Sequence, residues 1–358
     1  MSKNTKNTKN TKSSDIDISI KKIKNTKFDD LHGSSLVLEF SGKSLNVKHI
    51  NAIRRASMDD IPIYAFPAEL IKIESNTSIF NNDYMKLRLS QLPILNFDSD
   101  LDYLDNKYLN MGINFDNPNF IKYEKQKLIE IYINSYNNTP ENINITTNDI
   151  IYIEEGETLS KYSSKYPILI IQLRPNETFK AHMIAALSNG NKSNIFSAAS
   201  NCFYDYNDEN NENKENKENK ENKENEENTK ITFTIESQGQ LQENVILIKS
   251  CNFIIKKLED FKEYFKNKLK ETPAYEKNST IVFEFENEDH TMGDILNDSF
   301  QDHSNIVFSG ISKPSPLERM IKIKIISSDE HPIKYMLECI DYLTNVYNHI
   351  LKELKKIN

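Results

Sequence analysis

One stretch of the chain has the residue types of a metal or acid–base site, the segment FENEDHTMGD at positions 285–294. It brings together four carboxylates and one histidine: Glu286, Glu288, Asp289, Asp294 and His290. Carboxylates beside an imidazole can hold a divalent ion or transfer protons. The nearest further histidine along the chain, His303, is thirteen residues away. His290 therefore has no second histidine at ligand spacing. A self-contained metal-dependent hydrolase using His290 and the neighbouring carboxylates is the alternative hypothesis.

The same stretch also reads as the entry to a helix, which we favour. Thr291 is a suitable N-cap, and Asp294 three residues later completes a pattern like a capping box. Glu288 and Asp289 precede the helix, where negative charge favours its positive end. Gly293 would permit the close approach of another backbone. These features predict a packing helix rather than a catalytic centre.

The elements around this helix belong to a pattern that occurs twice, namely strand, helix, strand and long helix. VLEF at 37–40 matches VFEF at 282–285, and ITFTIES at 231–237 matches IKIKIIS at 321–327. The offset between the copies falls from 245 to 90 residues, so the first copy contains a large insertion. Short alternating runs within the insertion, such as LIEIYIN, predict a β-rich inserted domain.

Two long helices, predicted over 242–270 and 332–356, have apolar residues at spacings of three and four. One such helix on a small sheet leaves apolar surface uncovered, which a second like unit can bury with near-twofold symmetry. We expect the helices at 44–58 and 242–270 of one unit to pack against those at 290–300 and 332–356 of the other. The predicted fold is α+β, with two dimerisation units packed as an intramolecular pseudo-dimer.

Composition sets the domain boundaries. The KNT-repeat N-terminus and the Asn/Glu/Lys tract cannot bury enough apolar surface to fold alone. The predicted division is a disordered tail at 1–29, a first unit at 30–60 and 191–272 containing a disordered tract at 207–230, an inserted domain at 61–190, a linker at 273–279 and a second unit at 280–358.

Charge and cysteine content narrow the function classes. The net charge of −8 disfavours a free-standing nucleic-acid binder. The three cysteines are scattered and form no CxxC pair, so no zinc or iron–sulfur site is expected in this chain. No apolar run approaches the length of a membrane span, and the N-terminus lacks the apolar core of a signal peptide. We expect a soluble intracellular protein that needs no cofactor.

Longer blocks resemble a known family. HINAIRRASMDDIPIYAFPAELIKIESNTS and YMKLRLSQLPI resemble the third-largest subunit of eukaryotic RNA polymerase II and its D-like archaeal and alpha-like bacterial counterparts. FEFENEDHTMGDILNDSF, VFSGISKPSPLERMIKIKI and the last helix resemble its small, L-like partner in archaeal polymerases. The chain therefore looks like a fusion of two subunits that are normally separate.

The resemblance implies a non-catalytic assembly platform of a multisubunit DNA-directed RNA polymerase. The implied partners are the largest and second-largest subunits and small polymerase subunits, with DNA contacted only through the complex, no membrane and no need for a homo-oligomer. The fusion, the Asn-, Ile- and Lys-rich composition and the low-complexity segments are similar to those of large DNA viruses. That origin would place the chain in a viral factory of the host cytoplasm and in the virion; a cellular origin would place it in the nucleus.

The resemblance also implies an assembly interface. Within NAIRRA, Arg54 and Arg55 point about 100° apart on a helix, so one can face the seam between the units while the other docks on the second-largest subunit. The implied interface residues are Val47, Ile50, Asn51, Ile53, Arg54, Arg55, Ile248, Ile255, Leu258, His290, Thr291, Met292, Gly293, Leu296, Leu337, Ile340 and Leu343.

Overall fold

A computed structural model describes residues 16–28, 33–98, 100–104, 126–206, 229–271, 276–315, 317–328 and 330–357. The predicted tract at 207–230 lies outside the described residues except for positions 229 and 230, and the predicted linker at 273–279 is described from position 276 onward. The helices are α1 (Val47–Asp59), α2 (Asn82–Ser90), α3 (Glu243–Glu271), α4 (His290–Gln301) and α5 (Pro332–Lys355). No described helix is both long and apolar enough to cross a membrane.

The strands complete a mixed architecture, which confirms the predicted α+β class. They are β1 (Ser19–Lys27), β2 (Ser34–Gly42), β3 (Ile63–Ala65), β4 (Ile71–Asn76), β5 (Ile129–Tyr136), β6 (Ile143–Thr146), β7 (Ile150–Glu154), β8 (Glu157–Leu159), β9 (Leu169–Leu173), β10 (Thr178–Ile184), β11 (Ala186–Ser188), β12 (Ala199–Tyr206), β13 (Thr229–Ser237), β14 (Ile281–Glu286), β15 (Ile306–Ser312) and β16 (Met320–Ser327).

The two copies of the repeat form sheets with the same strand pairing. The first sheet has the order β1-β2-β13-β12, and the second has the order β14-β16-β15. Phe40 of β2 lies opposite Ile231 of β13, and Phe285 of β14 lies opposite Ile321 of β16. These pairs are related by the sequence offsets of 245 and 90, so the repeat seen in the sequence is also a repeat in strand register.

The last strand in the order of each sheet, β12 or β15, extends this equivalence. β12 is irregular between Ala199 and Asn201, and β15 is irregular between Ile306 and Phe308. Both positions differ by 107 residues, so the strand register shifts at the same place in each unit.

The prediction that residues 1–29 are disordered was wrong for Ser19–Lys27, which form β1. This strand pairs antiparallel with β2. The side chains of Ile20, within the strand, and Ile18, just before it, are buried. Ile16, Ile18 and Ile20 alternate with polar residues, which is the period of a strand with one buried face. The alternating pattern is short and is followed by a lysine-rich run. For this reason, the composition of the segment indicated disorder rather than a strand.

The long helices cross between the units. The first turn of α3 contacts its own sheet, where Ser34 hydrogen-bonds Glu243. Its C-terminal half instead packs on β14, with the rings of Phe265 and Phe283 5.2 Å apart and those of Phe261 and Phe285 5.0 Å apart. As a result, one continuous apolar core contains both sheets and the four helices α1, α3, α4 and α5.

The helices of one unit contact those of the other, as the prediction expects. Within the units, α1 contacts α3, and α4 contacts α5. Between the units, α3 contacts α5, and α1 contacts α4.

The insertion has a core of its own. Its main sheet has the order β4-β10-β5-β7-β8, with all neighbours antiparallel. This agrees with the predicted β-rich character. The insertion also contains α2, which lies in the YMKLRLSQLPI block and buries Met85 and Leu89, four residues apart, against this core.

Candidate assembly interface

The FENEDHTMGD stretch begins α4, but its N-cap is not Thr291. The helix starts at His290, and the Asp289 side chain accepts a hydrogen bond from the His290 backbone N–H at 2.7 Å. Asp289 has the extended backbone of an N-cap residue, whereas Thr291 already lies within the first turn. The predicted pattern of Thr291 with Asp294 therefore started the helix two residues too late.

Asp289 also links the two units. Its carboxylate lies 3.4 Å from Arg55 Nη2 of α1 and 3.4 Å from Lys313 Nζ, which follows β15. Burial alone would raise the pKa of Asp289. The hydrogen bond from His290 and the charges of Lys313 and Arg55 together lower it below its ordinary value. The carboxylate is therefore ionised and tied to the opposite unit.

A second charge pair joins α3 to the turn before α4. Lys257 Nζ donates to Glu288 Oε1 at 2.8 Å, and the two side chains are 9% and 14% exposed. Burial raises the pKa of Glu288, and the Lys257 charge opposes that rise. Two groups this poorly solvated depend on each other, because either one alone would be a buried, unpaired charge.

A small polar cavity lies beside this pair. It has a volume of about 50 Å³ and is lined in part by Asp60, Asn189, Asn191, Glu288 and Arg319. Arg319 donates to the Asn191 side chain at 2.8 Å, and Asn191 donates to Asp60 at 2.6 Å. Burial, with the nearby charge of Asp59, raises the pKa of Asp60 to about 7. The cavity is large enough to admit water.

His290 is not arranged as a metal ligand or a general base. Its Nδ1 lies 3.7 Å from Asp294 Oδ1, one helical turn on, and both side chains are nearly half exposed. Glu288 and Asp289 are instead paired with the cations described above. In the described residues, no three histidine, cysteine or acidic side chains are grouped closely enough to hold a metal ion. The geometry therefore favours the helix-entry interpretation.

Gly293 allows α4 to lie close to the second sheet. A Cβ at this position would be 2.0 Å from Ile311 Cδ1 and 3.0 Å from Ile321 Cδ1. The prediction of a close approach was correct in kind, but side chains of β15 and β16 make it rather than another backbone. Any larger residue would push these isoleucines out of place.

Polar contacts also join α1 to the other helices. Asn46, the N-cap of α1, donates to Asp298 of α4 at 2.6 Å, and Lys48 pairs with the same carboxylate. At the other end of α1, the hydroxyls of Ser57 and Ser250 are 2.8 Å apart in a fully buried contact with α3. Ser250 is on α3, so α1 bridges α3 and α4.

The predicted interface residues lie on this set of helices, at two depths. The fully buried ones are Ile50, Ile53, Leu258, Met292, Gly293, Leu296, Ile340 and Leu343. The half-buried ones are Val47, Asn51, Arg54, Arg55, Ile248, Ile255, His290, Thr291 and Leu337.

For α3, two of the three predicted residues lie beside the buried face. Ile248 and Ile255 are half-buried, whereas Ile246, Leu247 and Ile254 are fully buried. This helix is apolar around much of its circumference because it packs against α1, α5 and two sheets. A pattern of threes and fours can therefore be drawn along more than one face.

The two arginines of α1 have different surroundings. Arg55 makes the contact with Asp289 across the seam. Arg54 donates from Nε to Asn51 at 3.0 Å and from Nη1 to the Met58 sulfur at 3.9 Å, both on its own helix. The expected divergence of the two side chains is observed, and Arg54 is the one directed away from the seam.

Some important residues had no signal in the sequence. Lys249 of α3 is 4% exposed, and its Nζ lies 3.0 Å from Asp98, 3.4 Å from Asp102 and 3.1 Å from the Leu101 carbonyl oxygen. This lysine holds the acidic loop of the inserted domain against α3. Lys249 and Lys257 both lie on α3, and nothing in the sequence distinguishes these buried lysines from the exposed lysines of the same helix.

Comparison with known proteins gives two family matches. Models described as the RNA polymerase Rpb3/Rpb11 dimerisation domain match residues 39–258 and 280–353. The chain is also similar to a DNA directed RNA polymerase subunit of Acanthamoeba polyphaga mimivirus. The two are 28% identical over 361 residues, which cover 94% of this chain and 95% of that protein.

Proposed function

Because the chain belongs to the RNA polymerase Rpb3/Rpb11 dimerisation-domain family, we propose that it is a non-catalytic assembly platform. It would gather the largest and second-largest subunits of a DNA-directed RNA polymerase, with its two units acting as an intramolecular dimer. One observation carries this proposal. The C-terminal half of α3 packs its phenylalanines on β14 of the other unit, so the two units share a core.

The predicted resemblance to a fused pair of polymerase subunits is confirmed. Two matches to one kind of dimerisation domain lie in a single chain, and the viral relative extends over nearly the whole of both proteins. This relative also supports the viral origin that the composition suggested. It is called a polymerase subunit as a whole, which is consistent with a structural role in transcription.

The place of action follows from the same proposal. A polymerase subunit of a large virus would act inside the infected cell, at the viral factory. Packaging in the virion would let transcription begin at once after entry. Fractionation of infected cells and purified particles, with the chain detected by antibody, would check both expectations.

Fusion of the two units has a physical consequence for assembly. When the partner is tethered, its effective concentration is high, so the shared core forms without a bimolecular step. The proposal therefore expects the isolated chain to be a folded monomer. Zero-length crosslinking of lysines to carboxylates should join Lys257 to Glu288 and Lys262 of α3 to Asp341 of α5. Absence of both crosslinks in a folded monomer would contradict the shared core.

Affinity purification from the native source tests the function itself. The tagged chain should retain two much larger polypeptides with the sequences of catalytic polymerase subunits. Retention of no polymerase subunit would contradict the proposal. Arg54→Ala should weaken capture of the second-largest subunit without shifting the unfolding midpoint. Arg55→Ala, which removes the contact with Asp289 inside the chain, is the comparison and should lower the midpoint instead.

A further inference from the structure

In the described residues, an additional strand pairs with the outer edge of the first sheet but not with the equivalent edge of the second. In the first sheet, β1 pairs with the outer edge of β2. In the second sheet, β14 occupies the position of β2, and no strand of the described residues pairs with its outer edge. An edge strand presents unpaired backbone donors and acceptors, and proteins normally protect it with lysines, proline, a bulge or a covering element. β14 has the sequence IVFEFE, which contains neither lysine nor proline.

The outer faces of β2 and β14 carry the same side chains at the same positions. Val37 and Glu39 of β2 correspond to Val282 and Glu284 of β14 at the offset of 245. Both residues of β14 are open to solvent, with exposures of 50% for Val282 and 54% for the Glu284 side chain, although Glu284 pairs with Lys322 of β16 on its inner side. The next outward residue, Glu286, is also exposed and adds a second negative charge.

β1, the strand that pairs with the outer edge of β2, indicates which side chains can lie beside such an edge. Lys21 of β1 lies directly opposite Glu39, and Lys24 lies opposite Val37. Directly opposed residues of an antiparallel pair share one face, so Lys21 and Glu39 lie on the same face of the sheet. A strand on β14 in the same register would place a lysine beside Glu284.

We propose that the outer edge of β14 binds an extended, lysine-bearing segment of a partner polypeptide as a fourth, antiparallel strand. Backbone hydrogen bonds would supply affinity, and the cross-strand contacts to Val282 and Glu284 would supply preference for a basic segment. The complete four-stranded arrangement of the first sheet is the template for the occupied state. This inference goes beyond the assembly role and does not depend on which polymerase subunits the chain gathers.

The test uses the full chain and a synthetic peptide with the sequence of residues 16–28. The peptide carries a fluorophore and a photo-crosslinking group, and a scrambled peptide of the same composition is the control. Saturable binding of the native peptide is expected, with crosslinks mapped to residues 281–286. Crosslinks confined to residues 34–42 would mean exchange with the chain's own β1 and would overturn the proposal, as would absence of saturable binding.

Charge variants identify the edge. Glu284→Lys should weaken peptide binding about tenfold, because a favourable cross-strand pair becomes a repulsive one. Glu284→Gln removes the negative charge without adding a positive one, and it should weaken peptide binding about threefold. This variant replaces Glu284→Lys in the test if Glu284→Lys is unstable. Glu157→Lys makes the same change on β8, an exposed edge strand of the inserted domain, and should leave binding unchanged. Equal effects of Glu284→Lys and Glu157→Lys would overturn the proposal.

A second copy of the chain is the competing occupant. Sedimentation over a range of concentrations distinguishes it. The proposal expects no dimer that depends on Glu284. A concentration-dependent dimer that Glu284→Lys dissociates would assign the edge to self-association and overturn the assignment to a partner.

Discussion

Lys257 of α3 donates a hydrogen bond to Glu288 across the boundary between the two units. Both side chains are largely buried, so this pair closes the seam at the point where α4 begins. The carboxylate that suggested catalysis in the sequence therefore has a structural partner 31 residues away.

Breaking this pair should destabilise the chain strongly. Glu288→Ala leaves a buried ammonium without a partner, which should cost about 3 kcal/mol of unfolding free energy. Replacing both residues with apolar ones, Lys257→Met with Glu288→Leu, should cost less than Glu288→Ala alone. The shift of the urea midpoint measures both effects.

The exposed pair of Lys256 and Glu259 on the same helix is the matched control. Glu259→Ala should change the unfolding free energy by less than about 1 kcal/mol. If Glu288→Ala has an effect this small, the Lys257–Glu288 contact does not close the seam.

Asp60 should make the chain less stable as the pH rises toward neutrality. Its pKa is about 7 in the folded chain, whereas an unfolded aspartate titrates near 4. Between these values the folded state binds more protons, so the contribution of Asp60 to the unfolding free energy falls as pH rises from about 4 to about 7.

Asp60→Asn should remove that part of the pH dependence while keeping an acceptor for Asn191. Urea midpoints from pH 4 to pH 8 should therefore fall more steeply in the parent chain than in this variant. Asp205→Asn, at an exposed position of β12, is the control. Its urea midpoints should fall between pH 4 and pH 8 as steeply as those of the parent chain. Parallel curves for the parent and Asp60→Asn would contradict the raised pKa.

Gly293 should resist a substitution that ordinarily stabilises a helix. Glycine to alanine within a helix usually gains about 1 kcal/mol. Here the added methyl would meet Ile311 Cδ1, so overpacking costing about 1–3 kcal/mol should reverse the sign. Thermal or urea unfolding of Gly293→Ala measures the net effect.

Ile311→Val removes the atom that the new methyl would meet. In that background, Gly293→Ala should be less destabilising than in the parent chain. An equal cost in both backgrounds would show that the contact with Ile311 is not the cause.

The N-cap of α4 can be located by two alanine variants. Asp289→Ala removes the cap and the contacts with Arg55 and Lys313, so it should lower the unfolding free energy by about 1–2 kcal/mol. Thr291→Ala should have a much smaller effect, because Thr291 lies within the first turn. The opposite order would restore the cap position expected from the sequence.

Local pattern was sufficient to predict much of the fold. Alternation identified β5, and the repeated segments identified β2, β13 and β16. The spacing of threes and fours identified α3 and α5 to within a residue or so. The repeat offsets of 245 and 90 predicted strand pairs that have the same register in both sheets. These features depend on one segment at a time, or on two segments compared directly.

The sequence by itself thus determined the two units, the insertion and the dimerisation-domain family. Only the tertiary structure decided how the units meet, because that depends on contacts between residues far apart in the chain. Lys249 and Lys257 look like other helical lysines until an acidic loop and a turn are folded against them. The cap at Asp289, the buried face of α3 and the open edge of β14 were decided in the same way, since each depends on which neighbour occupies the adjacent space.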